Sequence, residues 1–238
     1  MAPYKIELHL HTTYVSQCGW MGADALLSAY RDAGYSGICV TDHYNRTTFK
    51  YLERDITQPG GHAEAFLLGV RRMRRVADKY GIHIYEGLEL RVDGIDNDYL
   101  CFGVPHDMLE DPEAVFSAPF ATFSEEARAR GAFIIQAHPF RPGCAPADPA
   151  LLDAVEVCNT CIRHNSHNDL ALAFAKEHGL IQTSGSDCHR PEDPAKGGIE
   201  AEELPEDEAG LIRLLRSGNY KLILPEHYPA YEGPMDPH

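Results

Sequence analysis

At 238 residues with 44% apolar composition, the chain can bury one large core, and barrels of alternating strands and helices reach this size undivided. A formal charge of −15 argues against a nucleic-acid partner held through phosphate contacts, because no basic stripe exists to release counterions. No run of about 18 apolar residues is present, "MAPYKIELHLH" lacks a signal-peptide layout, and seven scattered cysteines suit reduced thiols; a cytoplasmic protein without a membrane partner is expected.

In chain order, "KIEL" reads as a strand, followed by a helix over "GADALLSAYRDAG" with Ala25, Leu26, Ala29 and Tyr30 on one face and Gly34 as its stop. "SGICVT" is a strand, and a long helix is expected from His62 to Tyr80, ended by Gly81. Its dense basic run, "RRMRR" at Arg71–Arg75, reads as a solvated helix face. "IHIYEGLEL" and "DYLCFGV" are two further strands. "FSEEARARG" is a helix with Ser124 as N-cap, and "AFIIQA" and "LDAVEV" are strands. A helix over "NDLALAFAKEHG", the strand "LIQTS", a helix over "PEDEAGLIRLLRSG" and the strand "YKLIL" complete the pattern. Such alternation implies a parallel sheet wrapped by helices, closed or nearly closed into a barrel.

Metal-competent side chains stand just past the apolar run of strand after strand. His9 and His11 follow "KIEL", and Asp42 and His43 follow "GICVT". Glu89 ends "IHIYEGLEL", Asp98 opens "DYLCFGV", and His138 follows "AFIIQA". Glu156 and Asn159 flank "VEVCN", while Asp187 and His189 follow "LIQTSGS". In a (β/α) barrel the strand C-termini share one face, which carries the active site. Imidazole mixed with carboxylate selects zinc, manganese or iron over calcium or magnesium. Seven or eight donors exceed the needs of one ion, so two or three divalent transition-metal ions are expected, with hydrolysis as the chemistry. "CNTC" (Cys158–Cys161) is a single C-x-x-C without a second pair, and no G-x-S-x-G elbow supports a serine nucleophile.

"HLHT", "VTDHYN", "EGLEL", "AHPFR" and "SGSDCH", in that order over residues 5–224, resemble the motif series of the PHP (polymerase and histidinol phosphatase) family. The resemblance implies a distorted, TIM-like (β/α)7 barrel over a single domain, residues 1–238, with a trinuclear metal cluster at the C-terminal face and phosphate-ester hydrolysis. Carried over by position, His9, His11, Glu89 and Asp187 would hold the first metal. Glu89 would bridge to a second, also bound by His138, and His43 and His189 would hold the third. Asp98 stands where the family has a histidine before the fourth strand. The His or Asp that the family carries shortly after its first motif is missing from "TTYVSQCG", where Gln17 and Cys18 are poor substitutes. Asp42 reads as a residue that orients a ligand rather than a ligand itself.

The function expected is a metal-dependent phosphoesterase for a small phosphorylated metabolite, in which a metal-bridging hydroxide attacks phosphorus in line. Arg141 or Arg190 would take up phosphoryl charge. His164, close behind "VEVCN", is a candidate to act on substrate. The alternatives are an amidohydrolase-like enzyme for a C–N or lactone bond, whose bridging mid-barrel lysine has no counterpart here, and a non-catalytic PHP module. Substrate choice is assigned to loops such as "NRTTFKYLERDITQPGG".

Overall fold

Apolar runs of four to eight residues, each closed by a turn signal, become strands, and the amphipathic runs between them become the outer helices. The computed structural model describes residues 3–52 and 61–226; residues 53–60 of the expected specificity loop lie outside this range. β1 (Tyr4–Glu7), α1 (Ala23–Asp32), β2 (Tyr35–Val40), β3 (His43–Tyr44) and α2 (Arg46–Leu52) come first. Next are α3 (His62–Phe66), α4 (Leu68–Ala77), β4 (His83–Leu90), β5 (Tyr99–Phe102), α5 (Pro112–Ser117), α6 (Phe120–Ala129) and β6 (Phe133–Gln136). The chain closes with β7 (Ala154–Asn159), α7 (Asn168–His178), β8 (Ile181–Gly185), β9 (Ile199–Ala201), α8 (Glu208–Ser217) and β10 (Lys221–Leu222).

The strands form one sheet in the order β10-β9-β1-β2-β4-β5-β6-β7-β8, with β3 on the upper part of β4. Its curvature gives the expected distorted α/β barrel, nearly closed. Pairing is parallel for β1–β2, β2–β4, β6–β7 and β7–β8, but β5 runs antiparallel to both neighbours. Asp98, at the N-terminal end of this reversed strand, therefore shares the face reached by the C-terminal ends of the others. At the seam, Ser184 Oγ donates to the Ile223 carbonyl at 2.8 Å, Tyr220 Oη to the Gln182 carbonyl at 3.0 Å, and Leu10 bridges Cys188.

The far end of the barrel is apolar. Phe102, Phe133, Ile135, Leu100, Ile6 and Tyr85 pack into one buried cluster with Leu211 and Leu215 of α8. Burying one such side chain contributes roughly 1.5–3 kcal/mol, which fixes the floor on which the polar face stands. No helix among the described residues is long and apolar enough to cross a membrane, and all seven cysteines are free.

Three local expectations are corrected. The helix expected over His62–Tyr80 is divided at Leu67 into α3 and α4, with a final 3-10 turn over Asp78–Tyr80. Gly69 explains the close packing there, since a Cβ on it would stand 2.2 Å from Asp42 Oδ2. Ser124 is no N-cap: α6 begins at Phe120 and the Ser124 hydroxyl donates to the Leu151 carbonyl at 2.6 Å. "YKLIL" contributes only the two residues of β10.

Candidate metal centre

β1 stops at Glu7, but the chain stays extended through His11, whose N–H donates to the Cys188 carbonyl at 3.0 Å. Strand alternation thus sends His9 and His11 to one face, and both are 0% exposed. Around them stand His43 on β3, Glu89 on β4, Asp98 before β5, His138 after β6, and Asp187 and His189 after β8.

The atoms converge. His9 Nε2 lies 3.1 Å from Glu89 Oε1 and 3.3 Å from Asp187 Oδ1. His11 Nε2 is 3.4 Å from both Glu89 Oε2 and Asp187 Oδ1, and His138 Nε2 is 3.3 Å from Glu89 Oε1. Four overlapping groups have donor atoms within 4.8 Å of one another: His9–Glu89–His138, His9–His11–Asp187, His11–His43–His189 and His43–Glu89–Asp98. All eight metal donors expected from the sequence fall in these groups.

The donor chemistry fits cations. His9 Nε2, His11 Nε2, His43 Nδ1 and Glu89 Oε2 are buried without a hydrogen-bond partner, although His43 Nδ1 approaches Glu89 Oε2 to 2.7 Å. Each unsatisfied buried polar atom costs roughly 1–3 kcal/mol. Four of them aimed into one space fit lone pairs that a metal would take up.

Surrounding side chains fix the donors. Glu156 Oε1 takes His9 Nδ1 at 2.9 Å, which turns His9 Nε2 toward the centre, and Glu156 Oε2 accepts the His138 N–H at 3.0 Å. Asp42 lies outside the four donor groups and accepts the Thr12 N–H at 2.7 Å and the Ser16 hydroxyl at 2.8 Å. The Ser16 oxygen in turn accepts the His43 N–H at 2.9 Å. Arg91 grips both oxygens of Asp98 at 2.7 and 2.5 Å, following the β4–β5 register that pairs Leu90 with Tyr99. Asp98 is thus in the centre but already shared with a guanidinium.

Glu7 is the residue the sequence reading missed. Its Oε1 accepts the N–H groups of Leu8, His9 and Ser186 at 3.0, 3.0 and 2.9 Å, while Tyr30 Oη donates to Oε2 at 2.8 Å. It ties the His9 segment to the Asp187 segment. The spacing Glu7, His9, His11 at every second residue was the signal for it.

Electrostatics follow from the crowding. Burial alone would lower the His9 pKa, but Asp187, Glu156 and Glu89 raise it well above its usual value. Burial would raise Glu89 and Asp187; facing imidazoles, together with Arg141 for Asp187, hold both well below the carboxylate range. Burial lowers His11, and the neighbouring His189 and His43 lower it further.

Close approach is bought with unusual backbone. His138 (φ 28°) and Asp187 (φ 48°) adopt left-handed conformations, which cost a non-glycine residue about 1–3 kcal/mol each. A Cβ on Gly185 would stand 2.5 Å from both Glu156 Oε1 and His9 Cβ.

Arg141 reaches the centre: its NH2 donates to Asp187 Oδ2 at 2.5 Å and to Asn159 Oδ1 at 3.2 Å, leaving Nε buried and unpartnered. Arg190 is at the rim, its guanidinium 4.8 Å over the exposed Trp20 ring. His164 is half-buried in the loop between β7 and α7 and belongs to none of the four groups. Its neighbour Arg163 pairs with Asp193, whose Oδ2 accepts the His189 and Arg190 N–H groups. Gln17 is exposed and outside the donor groups. Cys18 interacts with both His43 and His189: desolvation would push its thiol up, yet the two imidazoles bring it to about 6.

A family model for the PHP domain matches residues 7–224. The chain belongs to the PHP family. Among solved structures, this PHP chain resembles a two-domain protein from Bacteroides vulgatus containing a predicted PHP-like metal-dependent phosphoesterase. The TM-score is 0.67 and the identity 18%, covering 93% of this chain and 64% of that one. PsfC from Pseudomonas syringae gives 0.62 and 17%, over 95% of this chain and 93% of that one. The lesion-specific endonuclease PfuEndoQ from Pyrococcus furiosus gives 0.62 and 15%, over 93% and 58%. The PHP chain thus spans less than two thirds of the Bacteroides and Pyrococcus chains. At these identities the likeness speaks for the fold. No curated protein matches the sequence.

Proposed function

We propose that this PHP chain is a metal-dependent phosphoesterase acting on a small phosphorylated molecule, with residues 1–238 working as one unit. The observation that carries the reading is the convergence of buried, unpartnered His9, His11, His43 and Glu89 donor atoms beside the guanidinium of Arg141. In this reading His9, His11, His43, Glu89, Asp98, His138, Asp187 and His189 hold two or three divalent ions of the zinc, manganese or iron type. Bound there, such ions acidify water and offset charge on phosphoryl oxygens.

The chain's own residues do the rest. With a metal bound, Glu156 would accept the His9 Nδ1 proton and leave Nε2 to the ion. The Arg141 guanidinium, with an unpartnered Nε, binds a phosphoryl oxygen and takes up charge as it develops. Arg190 attracts the anion at the rim, and His164 contacts the substrate from the β7–α7 loop. A small substrate is favoured over a nucleic acid by the charge of −15, which repels a polyphosphate backbone. Free thiols agree with a cytoplasmic setting.

Elemental analysis coupled to a phosphate-release screen on the same sample is the test, with duplex DNA, amides and lactones in the panel. Bound transition metal and chelator-sensitive release from small phosphate esters are expected. A sample grown with ample metal that binds none, or turnover confined to DNA, amides or lactones, overturns the reading.

A further inference from the structure

We propose that Asn159 is the positioning residue for Arg141, fixing the direction in which the guanidinium meets a phosphoryl group. The inference rests on the phosphoesterase reading above and concerns a residue to which that reading gives no role. Asn159 ends β7 and is 3% exposed. Its side-chain oxygen Oδ1 accepts Arg141 Nη2 at 3.2 Å and the Cys161 N–H at 3.1 Å. Its Nδ2 donates to Glu156 Oε2 at 2.9 Å and to Asp187 Oδ2 at 3.2 Å. One edge of the amide thus faces two donors and the other two carboxylates. Only one orientation of the group satisfies all four.

The residue that carries this amide is itself held. Asn168, the first residue of α7, accepts the Asn159 N–H at 3.0 Å through Oδ1. Its Nδ2 donates to the Asn159 carbonyl at 3.1 Å. Backbone and side chain of Asn159 are therefore both engaged, and the amide has no alternative rotamer that keeps these bonds.

Arg141 needs such a holder. Asp187 divides its two oxygens, with Oδ1 3.3 Å from His9 Nε2 and 3.4 Å from His11 Nε2. Its Oδ2 accepts Arg141 Nη2 at 2.5 Å. A single contact to that oxygen leaves the guanidinium plane free to turn. Asn159 Oδ1 is the second acceptor on the same Nη2. The two hydrogens of this nitrogen lie in the guanidinium plane, so one acceptor for each sets that plane. The direction of the buried, unpartnered Nε–H follows from it.

The test reads Arg141 itself. In metal-free protein the Arg141 Nε–H resonance, identified by its loss in Arg141→Ala, should exchange slowly with water. Asn159→Ala should quicken that exchange. Asn159→Asp keeps the volume and the oxygen edge, and should retain the protection. In Mn(II)-saturated protein, Asn159→Ala should lower kcat for a phosphate ester by about 100-fold, the scale for a group misplaced by about 1 Å, with a smaller change in KM. Asn159→Ala combined with Arg141→Ala should be no slower than Arg141→Ala alone, because both losses act through one guanidinium. A merely structural role would multiply the two losses. Nε–H exchange indifferent to Asn159→Ala, protection lost equally in Asn159→Asp, or multiplied losses in the double variant overturns the proposal. If that happens while ester cleavage persists, the phosphoesterase reading stands alone. If exchange responds as expected but the unaltered chain cleaves no phosphate ester, the hold on Arg141 stands and the phosphoesterase reading falls.

Discussion

One carboxylate, Glu156, holds the His9 ring at 2.9 Å through Oε1 and the His138 amide at 3.0 Å through Oε2. All of its partners donate, including Asn159 Nδ2 at 2.9 Å. Glu156→Gln introduces an amide NH2 that must face a donor whichever way it turns. Facing His9, it shifts the imidazole proton to Nε2 and closes the inward lone pair. Metal affinity should fall about 10–100-fold, read by calorimetry, with the tautomer change visible in 15N shifts of His9. Unchanged affinity would show that Glu156 does not set the donor.

Gly185→Ala tests the packing behind the same pair. A methyl 2.5 Å from Glu156 Oε1 and His9 Cβ must displace one of them. Overpacking of this kind costs about 1–3 kcal/mol, so denaturant midpoint and metal content should drop together. Gly179→Ala is the comparison: φ is +65° but nothing lies within 4 Å of the added carbon, and only stability should suffer.

Arg141→Ala should lower kcat for phosphate esters by about 100–1000-fold, the scale for loss of one preorganised donor to a developing oxyanion. Arg190→Ala, at the rim over Trp20, should act mainly on KM. Steady-state kinetics with a single ester separates them. Equal, mild losses would remove Arg141 from the charge-stabilising role.

Much of the centre was legible because strand geometry converts spacing into facing. His9 and His11 two apart, and Asp187 and His189 just past an apolar run, could only meet at one end of a barrel. Other parts have no local signature. "YLCF" reads the same in either direction, so the reversal of β5 was hidden, and with it the grip of Arg91 on Asp98. The helix divides at Leu67, beside Gly69, which packs so closely on Asp42, 27 positions earlier, that a Cβ would stand 2.2 Å from its Oδ2. Ser124 shows a capping residue overruled by a helix that had already begun at Phe120.

Acid should expose the Arg163–Asp193 clamp. Burial pushes the Asp193 carboxyl up, but Arg163 and the His189 and Arg190 amides pull it below its ordinary 3.8. A depressed carboxyl stabilises the fold fully above its unfolded value and loses that contribution as pH falls through the folded one. Thermal unfolding of the unaltered chain should therefore weaken more steeply than that of Asp193→Asn from about pH 5 down to about pH 3. Parallel curves would show that the carboxylate charge plays no part.

Among the described residues, the seam between β8 and the β9–β10 ribbon is joined by hydroxyl contacts, and the segments that follow β1 and β8 meet at the Leu10–Cys188 bridge. His9 and His11 stand on one bank of it, Asp187 and His189 on the other. An ion shared by the two banks would act as a buckle, and this joint would then depend on metal supply. Stripping the metal should open this joint first. Amide exchange at His11 and Cys188 would then quicken while the β2–β4 ladder stays protected, so that one stretch of backbone would report whether the centre is loaded.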